Sequence, residues 1–192
     1  MNIVLTGFMG TGKTKVGKIL ARRLGLTFVD TDDRVEERAG ISINKIFKRY
    51  GEPHFRNLEK KVIKEVSEKD GVVIAIGGGA FIAPENRANL KKKGVTIALL
   101  ASVKEIAKRT ADDTNRPLLK EGERQARIKA LLKKRLQYYQ KADLCLDTTG
   151  KSPEKVVQEI IRFVKPSPSP LPVAGEGQGE GKRVKMSTRQ EL

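Results

Sequence analysis

Gly7-Phe8-Met9-Gly10-Thr11-Gly12-Lys13-Thr14 is the stretch whose reading decides the fold. Ahead of it, Asn2-Ile3-Val4-Leu5-Thr6 is a short apolar run of the kind that forms a buried strand. Behind it, Val16, Ile19, Leu20 and Leu24 recur at three- and four-residue spacing and predict a helix. The glycines therefore occupy a strand-to-helix turn. Glycine lets the backbone curl so that successive N–H groups point inward, and the helix that follows adds about half a positive charge at its start. In that setting the pattern G-x-x-x-x-G-K-T predicts a phosphate cradle, with Lys13 reaching the β- and γ-phosphates and the Thr14 hydroxyl coordinating Mg²⁺. A glycine-rich turn without a ligand is the plain alternative, and the flanking strand and helix count against it.

Working outward, Gly25 stops the first helix, and Leu26-Thr27-Phe28-Val29 predicts a second strand that runs into Asp30-Thr31-Asp32-Asp33. Ligands of open parallel sheets collect at the carboxyl ends of strands, so these acids stand where a phosphate site needs them. Asp30 or Asp32 can hold Mg²⁺ through water or take a proton from a substrate hydroxyl, while Asp32 or Asp33 can cap the next helix. Ser42 predicts the cap of a short helix closed by Gly51, and Pro53 sits in the first turn of another whose apolar stripe is Phe55, Leu58, Val62 and Val66. Arg56 lies one residue off that stripe. Its fork suits a carboxylate, and by spacing the intrahelical partner Glu59 is preferred over a substrate. His54, the single histidine, has no second ligand near it and reads as a surface residue.

Gly71-Val72-Val73-Ile74-Ala75-Ile76 predicts a third, fully buried strand that delivers Gly77-Gly78-Gly79 to the same sheet edge. Three successive glycines cost folding entropy, and close backbone approach to a ligand explains them better than a linker does. A helix opens at Ala83-Pro84-Glu85, a fourth strand spans Val95 to Leu100, and Ser102 with Glu105 forms a capping box. Pro117 then interrupts the helical pattern within Ala111-Asp112-Asp113-Thr114-Asn115-Arg116-Pro117, which reads either as a lid carrying Arg116 or as an ordinary surface loop. Helical spacing resumes through Ile128, Leu131, Leu132, Leu136 and Tyr139, with Arg109 before the loop and Arg135 after it adding cations to the same cleft. Leu144-Cys145-Leu146 is a fifth strand, and Ser152-Pro153 opens a last helix that ends near Val164.

The 192 residues suit one folded domain, and 38% hydrophobic residues with 5% aromatics fit a small α/β protein rich in Val, Ile and Leu. The single cysteine, Cys145, excludes an internal disulfide framework and reads as a structural thiol. Without a basic, apolar leader or an apolar run near 18 residues, the expected location is the cytoplasm, with no membrane partner. Residues 166–192 alternate proline and then glycine and predict a disordered tail. That tail holds four basic and three acidic residues, so +15 of the +16 net charge belongs to residues 1–165. The lysines fall in short bursts without aromatic interleaving, which predicts solvated faces rather than a nucleic-acid track.

Strands alternating with helices, a phosphate loop after the first strand and acids after the second predict a small nucleoside-triphosphate kinase. The expected architecture is a three-layer αβα P-loop fold with a five-stranded parallel sheet, a substrate-binding segment expected at about 31–60 and, if the polar run is a lid, that lid at about 111–123. Arg56, Arg116 and Arg135 exceed what ATP alone requires, so the acceptor is expected to be a small anion. The phosphate loop, Asp30-Thr31-Asp32, Gly51-Glu52-x-x-Phe55-Arg56-x-x-Glu59, Gly77-Gly78-Gly79 and Arg116-Pro117-Leu118-Leu119, in collinear order over residues 1 to about 164, closely resemble the shikimate kinase family.

That resemblance implies ATP and shikimate as substrates, Mg²⁺ as cofactor and a monomeric enzyme. Gly10, Thr11, Gly12, Lys13, Thr14 and Lys15 would line the ATP phosphates, with Thr14 on the metal and Asp30 joining through water. Asp32 would bind the hydroxyl that is phosphorylated and act as its base. Arg56 and Arg135 would clamp the acceptor carboxylate, with Glu59 orienting Arg56, and Gly77, Gly78 and Gly79 would border the substrate, Gly78 through its N–H. Arg116 would reach ATP from the lid, while Arg109 and Lys151 would flank adenine. Lys15 stands where the family commonly has a small hydroxyl residue, and Lys151 where arginine is frequent. Another small kinase, acting for instance on gluconate, and a non-catalytic nucleotide-dependent module that binds nucleic acid are the competing readings.

Overall fold

The computed structural model describes residues 1–111 and 124–165. Five strands, β1 (Asn2–Gly7), β2 (Thr27–Asp30), β3 (Val72–Ala75), β4 (Gly94–Leu100) and β5 (Leu144–Asp147), form one parallel sheet in the order β2-β3-β1-β4-β5. The helices are α1 (Lys13–Leu24), α2 (Thr31–Ala39), α3 (Ile43–Ser67), α4 (Pro84–Lys93), α5 (Val103–Arg109), α6 (Arg124–Tyr139) and α7 (Pro153–Val164), with a 3-10 turn at Ala80–Ile82. The strand and helix assignments from the sequence hold to within a residue or two at their ends.

Alternation along the strands divides the core in two. Ile3 and Leu5 of β1, Val73 of β3 and Ile97 and Leu99 of β4 face α1 and α7, packing on Val16, Leu20, Val156, Val157 and Ile160. Val4, Ile74 and Ala98 point the other way, into a larger cluster with Val35, Ile46, Phe55, Ile63, Leu90, Ile106 and Tyr139 from α2 to α6. The sheet is thus covered on both faces, as its nearly continuous apolar strands require. Because α1 and α2 lie on opposite faces and β1 is flanked by β3 and β4, the chain reverses its winding direction beside β1. A crevice opens at the carboxyl ends of the strands at such a point.

Local chemistry explains the element ends. Ser42, Ser102 and Ser152 cap α3, α5 and α7 by accepting from the backbone N–H three residues on, as their sequence positions predict. Gly51 breaks α3 internally with φ 79° and ψ 173°, so the two helical pieces read from the sequence are present, joined by a kink. One cap differs from expectation. Asp30, rather than Asp32 or Asp33, caps α2, accepting from the Asp32 N–H. Asp30 is still extended (φ −100°, ψ 125°), which lets one residue end β2 and cap the helix that follows.

Gly17 sits at the closest approach of α1 to the sheet. A Cβ there would lie 2.4 Å from the Phe28 ring and 3.3 Å from Leu5. Gly17→Ala is expected to overpack this contact and lower the unfolding free energy by about 1–3 kcal/mol, read by urea denaturation as a lower midpoint at unchanged slope.

Candidate active site

The end of β1 is committed to a glycine. Gly7 has φ 135°, and a Cβ on it would stand 2.2 Å from the Leu99 carbonyl oxygen of β4. The loop then runs to Gly12, which caps α1 in the left-handed region (φ 94°) without a side chain. An α1 start with no side-chain acceptor keeps its N–H groups directed at the cleft, where an anion can use them. Lys13 folds back over the loop, its Nζ donating to the Gly7 and Phe8 carbonyls, both at 3.0 Å. Thr11 Oγ1 closes the turn by donating to Phe8 O at 2.8 Å.

Gly10, Gly12, Lys13, Thr14, Lys15, Asp30, Asp32, Gly78 and Arg109 line one cleft of ≈ 450 Å³. The carboxyl ends of β1, β2 and β3 therefore meet as the sequence predicted. Thr14 Oγ1 donates to Asp30 Oδ2 at 2.9 Å, bringing two hard oxygens from different elements together beside the loop. That pair fits Mg²⁺, which takes few protein oxygens and keeps water and phosphate for the rest of its shell. Among the described residues there is no group of three or more His, Cys, Asp or Glu able to hold a metal by themselves. Asp33 also borders the cleft, and burial, then the charge of Asp30, raises its carboxyl above the ordinary range.

A second groove of ≈ 340 Å³ adjoins the first and shares Gly12, Lys15 and Arg109 with it. Lys151, Thr148 and Pro153 form its far wall. Arg109 is firmly held there. It donates to the Thr148 carbonyl at 3.0 Å, to Thr148 Oγ1 at 3.2 Å and to Glu105 at 2.8 Å. Lys151 pairs with Glu159 at 2.8 Å. Arg109 and Lys151 thus border one groove beside the phosphate loop, whereas Lys15 is an exposed cation on the wall between the two spaces.

The glycine run after β3 reaches the cleft through Gly78. A Cβ on Gly77 would meet Asp32 Oδ1 at 2.8 Å and Glu59 Oε1 at 2.9 Å. One on Gly78 would lie 3.5 Å from Arg135 Nη1, and one on Gly79 2.7 Å from Arg56 Nη2. Charged side chains thus crowd Gly77 and Gly79, while a Cβ on Gly78 would meet the Gly7 carbonyl oxygen at 3.2 Å. Arg56 donates from Nη1 to Glu59 at 2.7 Å and from Nε and Nη2 to Glu52 Oε1 at 3.1 and 3.0 Å, with its guanidinium 4.9 Å from the Phe55 ring centre. The intrahelical pairing with Glu59 preferred from spacing is present, and Arg56 still borders the glycine run. Arg135 reaches the same place from α6, over the Phe8 ring at 5.8 Å.

Two residues that the sequence left without a role also serve the site. Tyr139 entered as one member of an apolar stripe, yet its hydroxyl donates to the Gly78 carbonyl at 2.7 Å from a fully buried ring. Burial raises its pKa, and Arg135 opposes that shift. A buried tyrosine needs a partner for its hydroxyl, which was the available clue. Thr148 donates to Leu100 O at 2.9 Å and, more weakly, to Thr11 O at 3.4 Å, tying β4 and the phosphate loop to the end of β5. His54 is exposed and stacks on Tyr50, and Cys145 donates weakly to Tyr139 O at 3.6 Å, both away from the cleft chemistry as read. Arg116, the lid at about 111–123 beyond Ala111, and the tail at 166–192 lie outside the described residues.

Glu59 is buried, and its Oε1 has no hydrogen-bond partner among the described residues. Burial pushes its carboxyl up to about 7, against the pull of Arg56. For Arg56 the balance runs the other way: burial disfavours its charge, but Glu59 and Glu52 outweigh that and raise its pKa. Since folded Glu59 holds its proton more tightly than the unfolded chain does, its contribution to stability is full below about pH 4.5 and is lost as pH rises through about 7. Glu59→Gln is expected to flatten the fall in unfolding free energy across that window, measured by urea titrations at several pH values.

The shikimate kinase family model matches residues 9–165. The shikimate kinase of Geobacter metallireducens is 49% identical over 164 residues, covering 85% of this chain and 92% of its own, and that of Geobacter sulfurreducens is 52% identical with 85% and 91% covered. The structure of the Acinetobacter baumannii shikimate kinase in complex with shikimate superposes with a TM-score of 0.82 at 36% identity, over 85% of this chain and 92% of that one. A gluconokinase from Sinorhizobium meliloti shares the fold at a TM-score of 0.54 but only 17% identity. The sequence match starts inside the phosphate loop and runs beyond α7, and with relatives near half identical along almost their whole length it means that this chain belongs to the shikimate kinase family of ATP-dependent kinases.

Proposed function

We propose that this chain transfers the terminal phosphoryl group of ATP to the 3-hydroxyl of shikimate, giving shikimate 3-phosphate for chorismate and aromatic amino acid synthesis. One observation carries the reading beyond family membership. Asp32, Arg56 and Arg135 converge on the Gly77–Gly79 turn, and Asp32 and Gly78 of that group line the same cleft as the phosphate loop. Two guanidinium groups and a carboxylate at that spot suit an acceptor that carries both an acid and a hydroxyl. The working unit is residues 1–165, with the acceptor segment at about 31–60, acting as a cytoplasmic monomer.

In this reading Arg56 and Arg135 hold the acceptor carboxylate and so orient the ring. Asp32 receives the proton of the attacking hydroxyl, and the Gly78 N–H borders the ring. Fixing the acceptor by a remote group converts binding energy into alignment of the reacting oxygen with the phosphorus. Lys13 leaves the Gly7 and Phe8 carbonyls for the β- and γ-phosphates, and Arg116, carried over from the family motif alone, adds a further cation. The transition state spreads negative charge over the transferred group, so these cations act chiefly by electrostatic stabilisation. Thr14 and, through water, Asp30 would hold Mg²⁺, which supplies neutralisation of the phosphate oxygens. Arg109 and Lys151 flank adenine in the second groove.

A coupled assay of ADP release with Mg-ATP and shikimate, gluconate or no acceptor tests the proposal. Release is expected with shikimate alone and should disappear in Asp32→Asn; release with gluconate alone would overturn the acceptor. Arg135→Ala is expected to raise KM for shikimate about 10- to 150-fold, corresponding to roughly 1.5–3 kcal/mol for a hydrogen-bonded charge, with a much smaller change in KM for ATP. An unchanged shikimate KM would remove Arg135 from the clamp.

A further inference from the structure

Arg56 offers five N–H donors in a fixed plane, and its Nε and Nη2 form one of the edges on which a guanidinium grips a carboxylate with two parallel bonds. That edge is occupied. Glu52 Oε1 accepts from Nε at 3.1 Å and from Nη2 at 3.0 Å, while Glu59 takes Nη1 at 2.7 Å. The two carboxylates differ in their surroundings. The side chain of Glu59 is 2% exposed and buried behind the glycine run, whereas that of Glu52 is 62% exposed on the outer side of Arg56. An exposed pair of this kind is weak and readily exchanged, and one anchored in the core is not.

Glu52 also sits where the backbone can let it go. It follows Gly51, whose φ of 79° and ψ of 173° interrupt α3, and precedes Pro53, so it stands at the start of the second helical piece. Arg56 is held independently of it by Glu59, by the Phe55 ring at 4.9 Å and by the close approach to Gly79. Removing Glu52 therefore leaves the guanidinium in position with its outer edge open.

From these contacts we infer that Glu52 is a placeholder for the acceptor's carboxylate: it occupies the Nε and Nη2 edge of Arg56 and is displaced when the acceptor binds. The inference rests on the proposed acceptor, whose carboxylate matches that edge. Its consequence is a tax on affinity. Every acceptor must break the Glu52 contact before Arg56 can grip it, which disfavours neutral ring alcohols, whose hydroxyls cannot replace two charge-assisted bonds.

The test compares shikimate binding and shikimate KM for the full chain and for Glu52→Gln and Glu52→Ala, with ATP binding measured alongside. Both variants are expected to bind shikimate about two- to fivefold more tightly, the range set by an exposed ion pair of up to about 1 kcal/mol. ATP affinity should hold. The gain should also vanish in an Arg56→Lys background, which lacks the forked edge. Unchanged or weaker shikimate binding in both variants, with intact ATP binding, would overturn the placeholder and make Glu52 a prop for Arg56. If the unaltered chain binds ATP but not shikimate, the proposed acceptor falls and the placeholder falls with it.

Discussion

The contact between Gly7 and the Leu99 carbonyl sets the terms for everything around it. With only 2.2 Å available to a Cβ, β1 can pack against β4 at its end only if that residue has no side chain. The same position needs a positive φ to throw the chain into the phosphate loop. Packing and turning are thus satisfied by one residue at the centre of the sheet. The end of β3 lies beside β1, and that of β2 one strand further out, through the register that joins Leu5 to Ala75 and Ala75 to Asp30, so Asp30, Asp32 and the Gly77–Gly79 run are delivered near this one turn.

Much of this arrangement could be read from residue order. A buried strand, a glycine loop with Lys-Thr and an amphipathic helix together favour a phosphate loop over a bare turn, and the serines before α3, α5 and α7 mark their own caps. Periodicity resolved less where several residues of one type stand together. Asp30, Asp32 and Asp33 are equivalent to any pattern; only the backbone reveals that β2 runs one residue further than its apolar stretch and that Asp30 is the cap. The Gly77–Gly79 run was legible as a place of close approach. That the approaching groups include the site's own Asp32, Glu59, Arg135 and Arg56 depends on elements far apart in the chain, which local spacing does not encode. Tyr139 was hidden for a related reason, because an apolar stripe records that a ring is buried but not what its hydroxyl meets.

Charge around the Gly77–Gly79 run is arranged in a particular order. Glu59 lies deepest, Arg56 stands in front of it and Glu52 is outermost, so burial decreases from a nearly inaccessible carboxylate to one that is mostly in water. A buried acid beside a guanidinium fixes that group far better than a surface pair does. Glu59 holds the Arg56 guanidinium through its 2.7 Å contact even though burial works against its charge and pushes its pKa to about 7. Stability and readiness to bind are therefore opposed at Glu59, as is common where a site must be formed before its ligand arrives.

Tyr139 gives α6 the character of a lever with its fulcrum at the cleft. Its hydroxyl is bonded to the Gly78 carbonyl at the last turn of the helix, and Arg135 stands one turn earlier. At 1.5 Å of rise per residue, Arg135 is about 6 Å from that fulcrum and the first residue of α6 about 22 Å. A swing of about 2 Å at the far end of the helix thus carries Arg135 only about half an ångström. The arginine on the short arm therefore keeps its place, and Ile128 on the long arm is itself packed in the core.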